Sequence, residues 1–163
     1  MHKAGHLLAN QLVNMSGPAE PSKIMDKLSF GSFNAFVKNP QTSYDWLSSD
    51  AAEVQKYIDD PYCGFVSTNQ FYADLTGAMA QHMSNPVDNA RIRSDLKILL
   101  VSGTQDPVGE KEAAGVVKAG QQLADAGVQH VKVQLFEGMR HEILNEVKKE
   151  KVYESIIRWL KHE

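Results

Sequence analysis

The sequence predicts an α/β protein: a mostly helical segment, residues 1–95, precedes a strand-helix-strand-helix unit of a parallel sheet, residues 96–163. Three observations carry this reading. Ile98, Leu99, Leu100 and Val101 form a short unbroken apolar run that stops at Ser102-Gly103, the pattern of a strand covered on both faces. Val131, Val133 and Leu135 alternate with polar residues, the period of a second strand over His130–Phe136. Apolar residues recur at helical spacing between and after these runs, and nothing before Leu96 reads as a strand.

In chain order, Ala4, Leu8, Leu12 and Met15 share one helical face and meet Gly17-Pro18, so a short amphipathic helix is expected from about Ala4 to Met15. Ile24, Met25 and Leu28 make a second apolar set. The stretch FGSFNAFVKNPQTSYDW, broken by Gly31 and Asn39-Pro40, reads as loop packed by aromatic anchors. Asp50 followed by Glu53 resembles a capping box ahead of Val54, Tyr57 and Ile58, and Asp60-Pro61 closes that helix, because a residue before proline avoids the helical region. A helix is expected from Thr68 to Met83 with Phe71, Leu75 and Met79 on one face. Between the two strands, Glu110 to Ala126 carries Ala113, Val116, Val117, Gly120 and Leu123 and ends at Gly127. A last helix, Glu146 to Lys161, gathers Val152, Ile156, Trp159 and Leu160 on one side. Its charges, Lys148, Lys149, Lys151, Arg158 and Lys161 mixed with Glu146, Glu150 and Glu154, read as a solvated face.

At 163 residues one core, and so one domain, is expected. Seventeen Lys and Arg against twenty Asp and Glu give a net charge of -3, so no basic field exists to hold a nucleic acid. No apolar run approaches a transmembrane length, and the N-terminal MHKAGHLLANQLVNM is broken by polar residues, so neither an integral membrane segment nor an export signal is expected. The single cysteine, Cys63, cannot pair internally; a reducing, cytoplasmic compartment is the easy reading, with any contact to membranes peripheral. Two parallel strands leave apolar edges that ask for neighbours, either a complementary N-terminal half or a second copy.

In open α/β sheets, chemistry gathers in loops at the carboxyl ends of the strands. Here these are Ser102–Gly109 and Glu137–Glu142. Neighbouring strands lie about 5 Å apart, which brings Asp106 and His141 within reach of each other. A carboxylate beside an imidazole orients the ring and stabilises its protonated form, the Asp-His half of a nucleophilic triad. Asp106 before Pro107 also has the form of a helix cap followed by an N1 proline. Arg140 suits a carboxylate or phosphate head group, or is a plain surface arginine. Cys63 reads as a small buried hydrophobe more readily than as a substitute nucleophile. His2 and His6 have the spacing of a two-histidine metal site but no acidic third ligand, and His82, His130 and His162 read as solvated.

The segments SGTQDPVG, FEGMRHEILNE and VYESIIRWLKHE, with the upstream YDWLSSD and DPYCGF, closely resemble the C-terminal half of serine α/β-hydrolases of the lysophospholipase or monoacylglycerol lipase-like type, the serine aminopeptidase S33 class. The likeness runs through nearly the whole chain in the same order. It implies that Asp106 is the triad acid and His141 the triad base, that no metal or organic cofactor takes part, and that residues from about Ala4 to Ser94 form a cap, or lid, over an acyl pocket. The aromatics Phe30, Phe33, Phe36, Trp46, Tyr57 and Phe65 then either line an apolar channel or pack the cap's own core. Phe33, Trp46 and Arg140 are the substrate-binding candidates, and the implied substrate is a small lipid ester, a lysophospholipid or monoacylglycerol.

One departure stands out. Family members carry a G-x-S-x-G elbow with the serine nucleophile, and an HGGG-type oxyanion segment; these 163 residues contain neither. Gly31-Ser32-Phe33, Ser102-Gly103 and Ser16-Gly17 are the nearest approaches. The expectation is the latter part of a serine ester hydrolase, without roughly the first hundred residues and inactive by itself. The rival expectation is a non-catalytic α/β binding or assembly module that pairs through its exposed sheet edge.

Overall fold

The computed structural model describes residues 2–82 and 91–162. Contacts divide them into two units: residues up to Ser32 group with Pro61–His82, and Phe33–Asp60 group with the residues from Arg91 on. The division is interleaved, so the segment 33–60 packs with the strands instead of with the helices that flank it in sequence.

The first unit is helical. α1 (His2–Ser16), α2 (Lys23–Ser29) and α4 (Asn69–His82) enclose a core of Ala9, Met25, Tyr72 and Ala73, with Leu8, Leu12 and Val13 packed against it. The buried face of α4 is Asn69, Tyr72 and Ala73. Phe71, expected on the packed face, is exposed because the face turned to α1 lies one residue further on. Met83, the expected end of this helix, lies outside the described residues. Asn69 ties the unit together through Nδ2, which donates to the Gly17 carbonyl at 3.0 Å.

The second unit begins with a 3-10 turn at Phe33–Phe36 and with α3 (Ala51–Asp59). Asp50 caps α3, accepting from the Ala52 amide at 2.9 Å, but only half of the expected capping box forms. Glu53 turns instead to Lys56 and Lys149, each 3.0 Å away. The sheet follows: β1 (Lys97–Gly103) and β2 (His130–Phe136) run parallel, Lys97 opposite His130 and Gly103 opposite Phe136. The two strands are joined through α5 (Ala114–Asp125), and α6 (Lys149–His162) follows β2.

Side chains alternate across a strand, and the two helices use that alternation. Gly120 of α5 faces Leu100, Val131 and Val133 on one side of the sheet. Val152 and Ile156 of α6 pack with Val101 and Phe136 on the other, joined by Met139 and Ile143. The run Ile98–Val101 is half-buried, not enclosed on both faces as its unbroken apolar character predicted, because two strands give the sheet two unpaired edges among the described residues. The α5 helix starts four residues later than expected. Glu112 and Ala113 take left-handed backbone conformations, with φ of 55° and 59°, which break the chain into 3-10 turns before Ala114. Its end is as expected, with Gly127 at φ 100° in the position that glycine tolerates best.

Candidate active site

The site forms where β1 and β2 end. Pairing continues past the strands: the Thr104 amide donates to the Phe136 carbonyl at 3.0 Å, the Gln105 amide to the Met139 carbonyl at 2.9 Å, and the Gly138 amide to Thr104 Oγ1 at 2.9 Å. These bonds clamp the loop after β1 to the loop after β2. The approach is so close that a Cβ on Gly103 would stand 2.1 Å from the Met139 carbonyl oxygen, so only glycine fits there.

Out of this clamp Asp106 and His141 converge. Nδ1 of His141 lies 3.0 Å from Oδ2 and 3.1 Å from Oδ1 of Asp106. Asp106 is buried and also accepts the Val108 amide at 2.9 Å, capping the 3-10 turn Pro107–Gly109. The two roles foreseen for this residue, cap and imidazole partner, therefore coexist: the cap bond fixes the carboxylate that meets the ring. The hydrogen bond to Asp106, against the opposing effect of burial and with the added charges of Asp106 and Glu142, raises His141 above the ordinary imidazole value of 6.5. With Nδ1 committed to the carboxylate, Nε2 on the far side of the ring is the nitrogen able to exchange a proton.

The other face of the ring is held from residues 45–49. The Trp46 indole packs on the imidazole with centroids 5.1 Å apart, and Phe33 meets Trp46 edge-on at 5.0 Å. Trp46 thus stands beside His141 with Phe33 against it, Phe36, though exposed, lines a cavity together with Asp106, and Tyr57 pairs with Tyr44. Phe30, which pairs with Tyr72, and the exposed Phe65 both belong to the helical unit. Arg140 is no plain surface residue: Nη1 donates to the carbonyls of Asp45 at 2.6 Å and Ser48 at 2.8 Å. It also lines a cavity of about 330 Å³ beside Asp106, whose rim carries Lys38 and Lys111 together with Glu110 and Glu112.

Glu146, expected on the solvated face of the last helix, lies ahead of that helix, which starts at Lys149, and is 1% exposed. Its carboxylate accepts from the amides of Arg140, Ser49 and Val147 and from the Ser49 hydroxyl. A signal existed in the spacing, since a carboxylate five residues past His141 is near enough to fold back on its own loop. Cys63 is half-buried and lies in the helical unit. His6 bonds the Ala73 carbonyl at 2.9 Å. No group of side chains able to hold a metal ion occurs among the described residues, and no described helix is long and apolar enough to cross a membrane.

Parallel strands with helices on both faces, ending in two clamped loops that present a carboxylate and an imidazole, define part of an α/β-hydrolase. The sequence model of the serine aminopeptidase S33 family matches residues 5–148, and the chain belongs to that family. Among solved structures, a thermostable carboxyl esterase from Bacillus coagulans superposes with a TM-score of 0.83 at 23% identity, covering 98% of this chain and 52% of its own. A monoglyceride lipase from Saccharomyces cerevisiae gives a TM-score of 0.64 at 16% identity, with 98% of this chain and 49% of its own covered. A monoacylglycerol lipase from Paleococcus ferrophilus gives 0.61 at 20% identity, with 95% and 50% covered. The chain spans about half the length of these structures. No curated protein matches the sequence.

Proposed function

We propose that this chain supplies the acid and the base of a serine ester hydrolase, with Asp106 as acid and His141 as base, and that the nucleophile comes from a segment carrying the G-x-S-x-G elbow. The observation that carries the reading is the Asp106 carboxylate at 3.0 Å from His141 Nδ1. In the reaction, the serine oxygen bonds to the ester carbonyl carbon while Nε2 of His141 takes the hydroxyl proton. The C–O bond to the alcohol then breaks and Nε2 returns that proton to the departing oxygen. Water then gives a proton to the same nitrogen as its oxygen bonds to the acyl carbon; the acyl–serine C–O bond breaks, Nε2 returns the proton to the serine oxygen, and the acid leaves. Asp106 keeps the proton of the resting imidazole on Nδ1 and stabilises the imidazolium between the two transfers.

The substrate is a small lipid ester, a monoacylglycerol or lysophospholipid, as the names of the two lipases and the family likeness support. Trp46, with Phe33 against it, offers apolar surface next to the base, Arg140 and the lysines of the adjoining cavity suit a polar head group, and the family likeness supports the role of a cap for the helices of the first unit, α1, α2 and α4. The site of action is cytoplasmic.

The test combines the 163-residue chain with a hydrolase segment that carries the elbow. We expect the chain alone to resist a fluorophosphonate probe and to leave monoacylglycerol intact. The pair should label on the added serine and turn over, and lose turnover with His141→Gln. Turnover indifferent to His141 overturns the reading. A self-paired chain on light scattering that never accepts the added segment favours the assembly module, for which the open sheet edges speak.

A further inference from the structure

We propose that Glu146 is a positioning residue for the base: its buried carboxylate sets the backbone that aims His141 at Asp106. The consequence for catalysis rests on the function proposed above, but the positioning itself is a property of this chain. Four donors converge on Glu146. The Arg140 amide at 2.8 Å and the Ser49 amide at 3.0 Å share Oε1, while the Ser49 hydroxyl and the Val147 amide, at 3.2 Å, use Oε2. An ionised carboxylate accepts at about four sites and donates at none, so this set of partners matches its capacity.

The geometry shows what the side chain holds. Arg140 precedes His141, so the bond from its amide closes residues 140–146 into a loop and fixes the entry to the histidine. The Ser49 bonds join that loop to residues 45–49, which grip it from the other side: the His141 amide reaches the Trp46 carbonyl at 3.4 Å, the Glu142 amide the Leu47 carbonyl at 2.7 Å, and Ser48 Oγ the Asn145 carbonyl at 2.8 Å. Arg140 Nη1 on the carbonyls of Asp45 and Ser48 completes the clasp. Asp106 holds Nδ1 and Trp46 packs on the ring, but where the ring starts from is set by its backbone, and Glu146 bonds both sides of the clasp that fixes that backbone and the Val147 amide ahead of the last helix.

Glu146→Gln keeps the shape but places an amide donor where two donors already point. Proton and nitrogen NMR of His141 in the full 163-residue chain reads the outcome. The charges that face its ring, Asp106 and Glu142, are left in place. The wild type is expected to show a far-downfield Nδ1 proton and a titration midpoint above 6.5. The variant should lose that resonance and titrate closer to the ordinary imidazole value. A variant that unfolds more easily yet keeps both signals makes Glu146 a purely structural residue and overturns the proposal. Should Glu146→Gln fail to fold, Ser49→Ala removes a single donor, and an unchanged His141 titration there overturns it equally. Failure of the hydrolase reading looks different: an inert reconstituted enzyme whose His141 titration still depends on Glu146.

Discussion

Trp46 packs its indole on the imidazole of His141, centroids 5.1 Å apart and planes inclined at 43°, while its own carbonyl accepts the His141 amide. One residue therefore holds the histidine by backbone and by ring, and an imidazolium on an indole face adds a cation–π attraction. Protonation of His141 should be visible in Trp46 fluorescence. Emission is expected to fall as pH is lowered through the His141 titration, and His141→Gln should abolish that inflection. A flat profile in the wild type would contradict the packing.

The raised titration of His141 has a definite sign for stability. The folded value exceeds the unfolded value near 6.5, so protonated His141 on Asp106 contributes stability that is complete below about pH 6.5 and fades as pH rises through the folded value. Urea midpoints should fall over that window in the wild type and stay level there in Asp106→Asn. In the reconstituted enzyme, where neutral His141 is the base, the rising limb of kcat/KM should lie above 6.5.

Asp106→Asn should lower turnover of the reconstituted enzyme by about four orders of magnitude, the scale known for the same change in a serine-protease triad, because the amide favours the wrong tautomer. Asparagine can still cap Pro107–Gly109, so thermal stability near pH 8 should change little. Normal turnover in this variant would remove Asp106 from the chemistry.

Gly103→Ala puts a methyl group against the carbonyls of Met139 and Arg140, at 2.1 and 2.4 Å, and backbone cannot rotate away. The loops must part. We expect a loss of about 3 kcal/mol in urea unfolding, at the upper end of overpacking costs, together with a fall in the His141 titration midpoint. Unchanged stability would show that the clamp is looser than described.

Val152→Ala empties a fully buried position between α6 and Phe136, Met139 and Ile143. The expected cost is about 2 kcal/mol by chemical denaturation. Leu160→Ala on the same helix, at a position 69% exposed, should cost far less.

Much of the fold was legible because it rests on local patterns. The limits of β2, the capping of α3 by Asp50 and the stop at Gly127 follow from side-chain alternation, a cap oxygen and a left-handed residue, each set within a few positions of the chain. The late start of α5 was not legible, since Glu112 and Ala113 are helix-compatible residues forced left-handed by their surroundings. Nor was the packing of residues 33–60 with the strands, which reverses sequence proximity.

By itself the sequence determined the α/β class, the family likeness, the pair Asp106 and His141, and the want of a G-x-S-x-G elbow in these residues. Residue identity and local pattern suffice for the class, the likeness and the missing elbow, while the pair, 35 positions apart, follows once the two strands are taken as neighbours and the likeness supplies the roles. Tertiary structure alone decided that Arg140 commits Nη1 to two carbonyls, that Trp46 lies on the imidazole, and that Glu146 is enclosed by four donors instead of facing water. A charged residue goes to solvent unless enough partners replace its hydration, and here two of the four donors come from Ser49, 97 positions away in the chain, while the Arg140 and Val147 amides lie close by.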